Sequence, residues 1–146
     1  MDQEIIDRAA GIIQSKTGGI GGGMEGYAVL ALFDEYDYPT ASTLTISKAE
    51  GIKWMTFLTG LESNKAKRIG KCNRGSVCLA STEYNITLVG TLEVLTGPEV
   101  KREHWYDAMG AMVSGPEDPV FCVLRFTTER YNLFFADNGT EAKGSF

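Results

Sequence analysis

The sequence is short of the residues on which many metal and hydrolytic sites depend. Its 146 residues include one histidine, His104, and three cysteines, Cys72, Cys78 and Cys122, with no CxxC pair. One histidine removes most conventional zinc sites and offers no partner pattern for a catalytic triad. We therefore expect no metal site, assign no catalytic residue, and predict that the cysteines are buried free thiols.

Long apolar runs are also missing, and we expect no secretory leader. The longest apolar segments, such as Tyr27 to Phe33, are far shorter than the roughly 20 residues of a membrane-spanning helix. The segment from Met1 to Gln14 begins with acidic residues and lacks a basic stretch followed by an apolar one. We expect a cytoplasmic protein that does not enter a membrane.

The net charge of -5 disfavours a broad nucleic-acid surface, because such surfaces neutralise many phosphates with lysine and arginine. The basic residues are nevertheless unevenly placed. Five of the 14 fall within ten positions that contain no acid: Lys65, Lys67, Arg68, Lys71 and Arg74. No aromatic residue is interleaved among them, so a local anion site is favoured over an RNA contact.

The length predicts one domain spanning residues 1–146, long enough to bury its own core. Apolar residues at helical spacing predict an N-terminal helix over residues 1–16, and a glycine-rich linker follows over residues 17–26. Within it Gly21, Gly23 and Gly26 match GxGxxG. A dinucleotide-binding loop needs a strand before these glycines and a helix after them, and the order here is reversed.

Beyond the linker, short alternating segments separated by turn residues predict about seven strands. The predicted strands are 27–33, 42–47, 52–58, 76–82, 86–95, 120–126 and 131–136. Helices are predicted from Asn64 to Lys71 and from Pro98 to about Val113, and a polar tail is predicted from Asn138 to Phe146. Because the strands do not alternate with long helices, we expect an antiparallel sheet or barrel with helices packed outside.

The stretch FLTGLESNK, residues 57–65, has the composition of an anion-binding turn. A strand ending in Thr59 and Gly60, followed by a helix capped by Ser63, directs unsatisfied N–H groups and the positive end of a helix dipole to one point. Two hydroxyls and Lys65 add donors, and Gly60 lets the backbone approach a phosphate closely. These residues alone equally fit a capped surface helix with a solvated basic face.

The order of the motifs resembles that of the pyridoxamine 5'-phosphate oxidase-like flavin-binding split barrels, in particular their general stress protein branch. Pro39 precedes a threonine-rich strand, and the segment from Glu50 to Thr59 leads into Ser63-Asn64-Lys65. A strand from Asn85 to Val94 and the run His104-Trp105-Tyr106 then follow. The resemblance covers roughly residues 28–135, and it implies a mainly β (α+β) antiparallel split β-barrel of about six to seven strands with flanking helices.

The resemblance also implies a homodimer with flavin mononucleotide (FMN) in grooves at the subunit interface. Thr59, Ser63 and Lys65 match the phosphate-binding positions of the family, and Asn64 lies in the same turn. Asn85 matches a polar position that reaches the flavin from the other subunit. The strand positions that match the lining of the ring and ribityl chain are Thr43, Leu44, Thr45, Phe57 and Leu58.

Two departures separate the chain from the vitamin B6 oxidases of the family. Ser42 stands where those enzymes have an arginine that binds the phosphate, so either the phosphate affinity is weaker here or Arg68 replaces that arginine. The C-terminal segment from Asn138 to Phe146 lacks their substrate-binding arginine and histidine. We therefore expect a flavin-dependent oxidoreductase of unknown substrate that is not a true pyridoxamine phosphate oxidase.

Several alternatives remain open at this point. The rival function is a non-catalytic, stress-related flavin-binding protein, or a protein that holds another cofactor such as deazaflavin or haem. His104 is interpreted as a packing or surface residue in preference to a general base, and Trp54 as a core or interface residue in preference to a ligand contact. No side chain is an obvious proton donor, so the cofactor would carry the chemistry.

Overall fold

The computed structural model of the chain describes residues 2–18 and 26–146. Most of the predicted glycine-rich linker lies outside these residues. The α-helices of the described part are α1 (Asp2–Ser15), α2 (Asn64–Lys71) and α3 (Pro98–His104), and a 3-10 helix spans Asp107–Ala111. Its strands are β1 (Ala28–Phe33), β2 (Pro39–Leu44), β3 (Ile46–Glu50), β4 (Trp54–Gly60), β5 (Arg74–Ala80), β6 (Tyr84–Leu95), β7 (Phe121–Phe135) and β8 (Thr140–Ser145). None of the described helices is long and apolar enough to cross a membrane.

All of these strands belong to one antiparallel sheet with the order β2-β1-β5-β6-β7-β4-β3, and β8 pairs with β7 beside that path. The two strands at the ends of the order, β2 and β3, are separated in the chain by Thr45 alone. Since neighbouring Cα atoms lie about 3.8 Å apart, one residue holds the two ends of the sheet together. The sheet is therefore curled, which confirms the expected mainly β, split-barrel class.

Alternating residues of each strand fill the interior of the curled sheet. In β6 the buried residues are Ile86, Leu88 and Leu92, as the alternation predicted. The phenylalanines of this core, Phe57, Phe126 and Phe135, are fully buried with them. Helix α1 covers one side of the core through Ala9 and Ile13, both fully buried.

The N-terminal helix is attached to the sheet by a polar contact as well as by its apolar face. Arg8 donates two hydrogen bonds to Asp137, at 3.0 and 2.8 Å, and its guanidinium lies 4.0 Å from the centre of the Phe135 ring. After the helix, the Gly18 amide bonds to the carbonyl of Ile46 at 2.9 Å. The chain is thus tied to β3 immediately before the glycine-rich segment.

Four boundaries differ from the sequence-based predictions, and each has a physical reason. The predicted strand 42–47 is two strands, because β2 pairs with β1 whereas β3 pairs with β4. The predicted strands 120–126 and 131–136 are one continuous β7, because the polar residues between them also pair with β6, apart from Glu129 in a bulge beside Gly90. Such a bulge inserts one extra residue without ending the strand.

The predicted polar tail is strand β8, which pairs with the second half of β7. The four residues 136–139 form the connecting turn, in which Gly139 has a φ of +67° and Asn138 Oδ1 accepts the Thr140 amide. Four-residue hairpin connections of this kind are common, and a glycine accommodates the positive φ. The predicted helix 98–113 ends at His104, because Trp105 adopts an extended backbone and packs its ring 5.8 Å from that of Phe121.

Gly90 is the position where the β6–β7 pairing is least tolerant of a side chain. A Cβ atom there would overlap the Thr127 carbonyl oxygen and come within 2.9 Å of the carbonyl carbon. We expect Gly90→Ala to lower the free energy of unfolding by about 3 kcal/mol, because the obstacle is backbone at a bulge. Gly11→Ala, exposed in α1 with nothing within 4 Å, should instead raise it by about 0.5–1 kcal/mol. Urea denaturation measures the free energy of unfolding of both variants. Similar changes in the two variants would contradict the assigned bulge.

Candidate functional site

The predicted anion-binding residues meet where β4 passes into α2. Ser63 is the N-cap of α2, with φ -68° and ψ 158°, and its side chain accepts the Ala66 amide at 3.3 Å. The Thr59 hydroxyl donates to Ser63 Oγ at 3.3 Å. The Ser63 amide returns to the Gly60 carbonyl at 3.0 Å and closes the turn. The short sequence spacing thus places both hydroxyls and the start of the helix within one hydrogen-bonded unit.

This turn presents hydrogen-bond donors that the described chain does not use. The amides of Asn64 and Lys65, the first two of α2, have no acceptor among residues 2–18 and 26–146. Lys65 is half-buried and forms no ion pair with any described residue. A Cβ on Gly60 would make only ordinary van der Waals contacts, the nearest at 3.8 Å with the Val120 carbonyl oxygen. Free amides and a cation next to a residue without a side chain are the components of an anion site.

The other cations of the basic segment are already engaged. Arg68 Nε lies 3.3 Å from Glu35 Oε1, and Lys71 donates to the Glu35 carbonyl at 3.1 Å. Lys67 lies 3.6 Å from Glu62 and is exposed. Because Arg68 is held by Glu35, it does not stand free to replace the arginine that the resemblance led us to expect at Ser42.

Beside this turn the barrel is split. Leu58, Thr59 and Gly60 pair with β7 on one side, but the β3–β4 pairing begins only at Ile46 and Phe57. No described strand covers the other edge of these three residues, since the chain before Ile46 diverges into β2. Alternate residues of a strand turn their N–H and C=O groups toward each edge. The end of β4 therefore offers backbone hydrogen-bonding groups next to the anion-binding turn.

The strand residues expected to line a flavin ring differ in how exposed they are. Thr43 is exposed, and Leu44 and Thr45 are half-buried. Phe57 is fully buried in the main core, and Leu58 is 6% exposed in a second cluster with Met109, Phe121 and Val123. A ligand at the split would therefore meet the backbone of β4 in preference to these two side chains.

Thr45 lies at the join between the two ends of the sheet and contacts the segment after α3. Burial raises the pKa of the Tyr106 hydroxyl, and a hydrogen bond to Thr45 acts in the opposite direction. This contact connects the β2–β3 junction to the residues that cover Leu58. A tyrosine hydroxyl at this place was not among the residues selected from the sequence, although the aromatic run beside His104 was noted.

Asn85 does not lie near the anion-binding turn within one chain. It is exposed on β6 opposite Phe134, whereas Thr59 is opposite Cys122. At about 3.3 Å per residue, the twelve residues from Cys122 to Phe134 would span about 40 Å in a straight strand. The side-chain oxygen Oδ1 of Asn85 accepts a hydrogen bond from the Thr87 hydroxyl at 2.9 Å. One chain by itself therefore does not unite all the predicted site residues.

His104 belongs to a buried polar cluster that was not among the sequence-based predictions. It is 5% exposed, and its Nδ1 lies 2.9 Å from the hydroxyl of Thr56, which is fully buried. Ser47 donates to the His104 carbonyl, and the Trp54 ring packs edge-on at 6.4 Å. Burial lowers the pKa of His104, so the neutral form is favoured in the folded state. His104 is thus a packing residue on the underside of α3.

The cysteines only partly match the prediction of buried thiols. All three are free, but only Cys122 is buried, and burial raises its pKa to about 11. Cys72 and Cys78 are half-buried, so for them the prediction was wrong. Hydrogen bonds from the backbone and then the side chain of Arg74 lower the pKa of Cys72. Among the residues that the structure describes, no three His, Cys, Asp or Glu side chains form a group suited to a metal ion.

A family model described as "Pyridoxamine 5'-phosphate oxidase like" matches residues 27–142 of the chain. The matched region includes β1 to β7, the anion-binding turn and the start of β8. No curated protein sequence matches the chain significantly.

Solved structures with the same fold come from several bacteria. A Clostridium acetobutylicum protein related to general stress protein 26 has a TM-score of 0.83 at 19% identity, covering 100% of this chain and 97% of its own. General stress protein 26 of Bacillus anthracis has a TM-score of 0.73 at 17% identity, covering 97% and 99%. A haem-binding protein of Mycobacterium smegmatis has a TM-score of 0.68 at 18% identity, covering 94% and 57%. At these identities the likeness establishes the fold.

The buried position of His104 makes stability depend on pH. In the unfolded chain its pKa is about 6.5, and burial lowers the folded value. As pH falls below about 6.5 the unfolded chain binds the proton first, so stability declines by up to about 1.4 kcal/mol per pH unit. We expect His104→Asn, whose amide replaces Nδ1 beside Thr56, to show a smaller decline between pH 7.5 and 5. Urea denaturation across this range measures it, and parallel curves for the two proteins would contradict the assignment.

Proposed function

The chain belongs to the pyridoxamine 5'-phosphate oxidase-like family, and from this premise we propose that it is a cytoplasmic FMN-binding flavoprotein. It acts as a homodimer with the cofactor at the subunit interface, and as a flavin-dependent oxidoreductase related to the general stress proteins. The observation that carries the proposal is the anion-binding turn. There Lys65 has no ion pair and the first two α2 amides have no acceptor among the described residues, beside an open edge of β4.

The turn matches the chemistry of a phosphate monoester. Such a dianion needs N–H and O–H donors together with positive charge, and Thr59, Ser63, Asn64 and Lys65 supply both. Gly60 adds no side chain that would obstruct the approach. In the absence of the family's arginine at Ser42, and with Arg68 held by Glu35, Lys65 is the main cationic ligand. We expect phosphate affinity to depend strongly on this one side chain.

The open edge of β4 and the segment from Thr43 to Thr45 border the rest of the groove. A flavin ring is large and apolar with polar edges, and it fits a strand surface that supplies a few backbone hydrogen bonds. When bound, the flavin supplies two-electron redox chemistry at its ring. The residues of the chain position the flavin and exclude water from it. His104 does not donate a proton to the groove, because it is neutral, buried and bonded to Thr56.

The outer face of the sheet supports the homodimer. Small or apolar side chains of neighbouring strands project from it on the side opposite the core: Val29, Ala31, Phe33, Ala41, Cys78 and Val89. Contiguous apolar surface is typical of interaction sites, and homodimer interfaces are more apolar than the rest of the surface. Asn85 lies on the same face of β6 as Val89, so a partner subunit seated here is positioned to bring its Asn85 toward the groove.

The reaction of a true pyridoxamine phosphate oxidase is not proposed. Those enzymes bind the phosphate of the substrate with an arginine and a histidine near the C-terminus. The segment from Asn138 to Phe146 contains neither and forms the turn and strand β8 that pair with β7. The substrate is therefore a different small molecule that exchanges electrons with the flavin.

Two other functions are distinguished by direct tests. The haem-binding neighbour makes haem the second candidate cofactor. The one histidine of the sequence is engaged with Thr56, which disfavours a histidine-ligated iron here. The visible spectrum after addition of haem or FMN to the purified protein shows which of the two cofactors binds.

The second alternative is a non-catalytic flavin-binding protein. A bound flavin that NAD(P)H bleaches and oxygen restores supports the enzyme, whereas a flavin that no reductant in a cell extract reduces supports a non-catalytic binder.

Lys65 and Lys67 form a matched pair for testing the anion-binding turn. Lys65→Ala should weaken FMN binding about ten- to a hundredfold, because it removes a charge-assisted hydrogen bond to the phosphate. Riboflavin, which lacks the phosphate, should bind almost as before. Lys67→Ala should change neither affinity, since Lys67 is exposed beside Glu62. Flavin fluorescence titration measures all four values. Equal losses for FMN and riboflavin in Lys65→Ala would mean that the phosphate lies elsewhere.

The proposed dimer face can be disrupted by one charge. Ala31→Arg introduces a long cation between Ala41 and Ser76, the neighbours of Ala31 on β2 and β5. We expect this variant to sediment as a monomer and to lose FMN, because each groove needs both subunits. Met112→Arg adds the same charge at a site that is 80% exposed and outside this face, and should remain a dimer. A dimeric Ala31→Arg protein that retains FMN would exclude this face as the interface.

A further inference from the structure

Lys101 of α3 occupies an environment that is rare for a lysine. Its relative exposure is 6%, and its Nζ donates a hydrogen bond of 2.6 Å to the carbonyl oxygen of Asp118. The same Nζ lies 4.3 Å from the centre of the Phe121 ring. Lysine is almost never buried to this extent unless it is paired with an opposite charge.

No described carboxylate forms an ion pair with Lys101. The carboxylate of Asp118 is close enough for the lysine to lower its pKa, after larger effects of hydrogen bonds from Ser114 and Val120. Those bonds also occupy both of its oxygens, since Oδ2 accepts from Ser114 and Oδ1 from Val120. Glu117 lies 3.8 Å from Arg102. Among the described residues, the ammonium group of Lys101 therefore contacts one carbonyl oxygen and one ring face. Because an ammonium group has three N–H donors, it can donate further hydrogen bonds to a ligand.

Lys101 is among the residues that line a cavity of about 330 Å³ between the start of α3 and the loop before β7. Its walls are mostly apolar, and are formed by Leu61, Pro98, Pro116, Pro119 and Phe121. Thr96 and Glu117 are the other polar members of the lining. This volume lies at the lower end of the range of about 300–1,000 Å³ that small-molecule sites occupy.

We propose that this cavity binds a small organic monocarboxylate with a compact apolar body, whose carboxylate pairs with Lys101. One buried cation balances one negative charge, and desolvation strengthens the pair relative to one at the surface. The apolar walls favour a hydrocarbon or aromatic body over a bare inorganic anion. A phosphate dianion would leave one charge unbalanced next to Glu117, so it is disfavoured here.

This carboxylate site is distinct from the proposed flavin groove and does not depend on it. The two are close, because Phe121 is the β7 residue that pairs with Gly60. However, Phe121 packs with Leu58 and Val123 in the second cluster, on the face of the sheet covered by α3, whereas Thr59 lies on the alternate face. A bound carboxylate would therefore be positioned near the end of β4 without displacing a phosphate held by Lys65.

The test uses the purified full chain and three probes in isothermal titration calorimetry. Sodium benzoate carries both the charge and an apolar body, benzyl alcohol only the body, and sodium acetate only the charge. We expect benzoate to bind with one site and the other two to bind about tenfold more weakly or not at all. Lys101→Met, which retains an apolar stem against Phe121, should weaken benzoate about tenfold or more. Lys143→Met, which removes an exposed lysine 3.8 Å from Glu141, should leave benzoate binding unchanged.

A second variant covers the case in which Lys101→Met does not fold. Thr96→Trp fills the cavity from its exposed rim and leaves Lys101 in place, and it too should abolish benzoate binding. The proposal is overturned if benzoate fails to bind the wild-type protein, if benzyl alcohol binds as tightly, or if Lys143→Met weakens benzoate as much as Lys101→Met. Displacement of benzoate by FMN would also overturn it, because the anion in this cavity would then be the flavin phosphate. If Lys101→Met and Thr96→Trp lose benzoate binding while their affinity for FMN is unchanged, this site is separate from the flavin groove.

Discussion

One residue, Thr45, imposes the constraint on which the rest of the fold depends. It alone separates β2 from β3, the strands at opposite ends of the hydrogen-bonded order. Since a single residue bridges only a few ångströms, the sheet has to curl until its ends meet, and this curl encloses the core around Phe57 and Phe126. The closure is made by the covalent chain and not by a ladder of hydrogen bonds. A split therefore remains between β2, which pairs with β1, and the end of β4 beyond Phe57.

That split determines where the chain can hold a ligand. Among the described residues, those of β4 beyond Phe57 have a strand partner on one side only, and α2 begins directly beside them. The basic segment there is not uniformly available, because Glu35 and Glu62 engage Arg68 and Lys67 and leave Lys65 without a described acid. Selective pairing of neighbouring cations thus concentrates the anion-binding capacity at the first turn of the helix, where the helix dipole acts in the same direction.

Helix α3 is anchored by polar bonds to an extent that its short length would not suggest. His104 contacts Thr56 and Ser47, and Lys101 contacts Asp118 and Phe121. These two residues are three positions apart, so polar contacts fix the buried face of the seven-residue helix. Every described buried side-chain polar atom has a hydrogen-bond partner. Such networks specify one arrangement, because a displaced helix would leave several buried groups unsatisfied. The cover over Leu58, and with it one wall of the barrel, is held by this network.

The sequence by itself determined the features that depend on neighbours in the chain. Alternation gave the buried face of β6, the Ser63 spacing gave the cap of α2, and motif order gave the family and the split-barrel class. Tertiary structure decided what depends on distant partners. It divided 42–47 at Thr45, joined 121–135 across a bulge opposite Gly90, and turned the polar C-terminal segment into β8. Tertiary structure also determined that Arg68 is paired and that Lys101 is buried. Glu35 reaches Arg68, and Asp118 and Phe121 reach Lys101, only after the chain has folded.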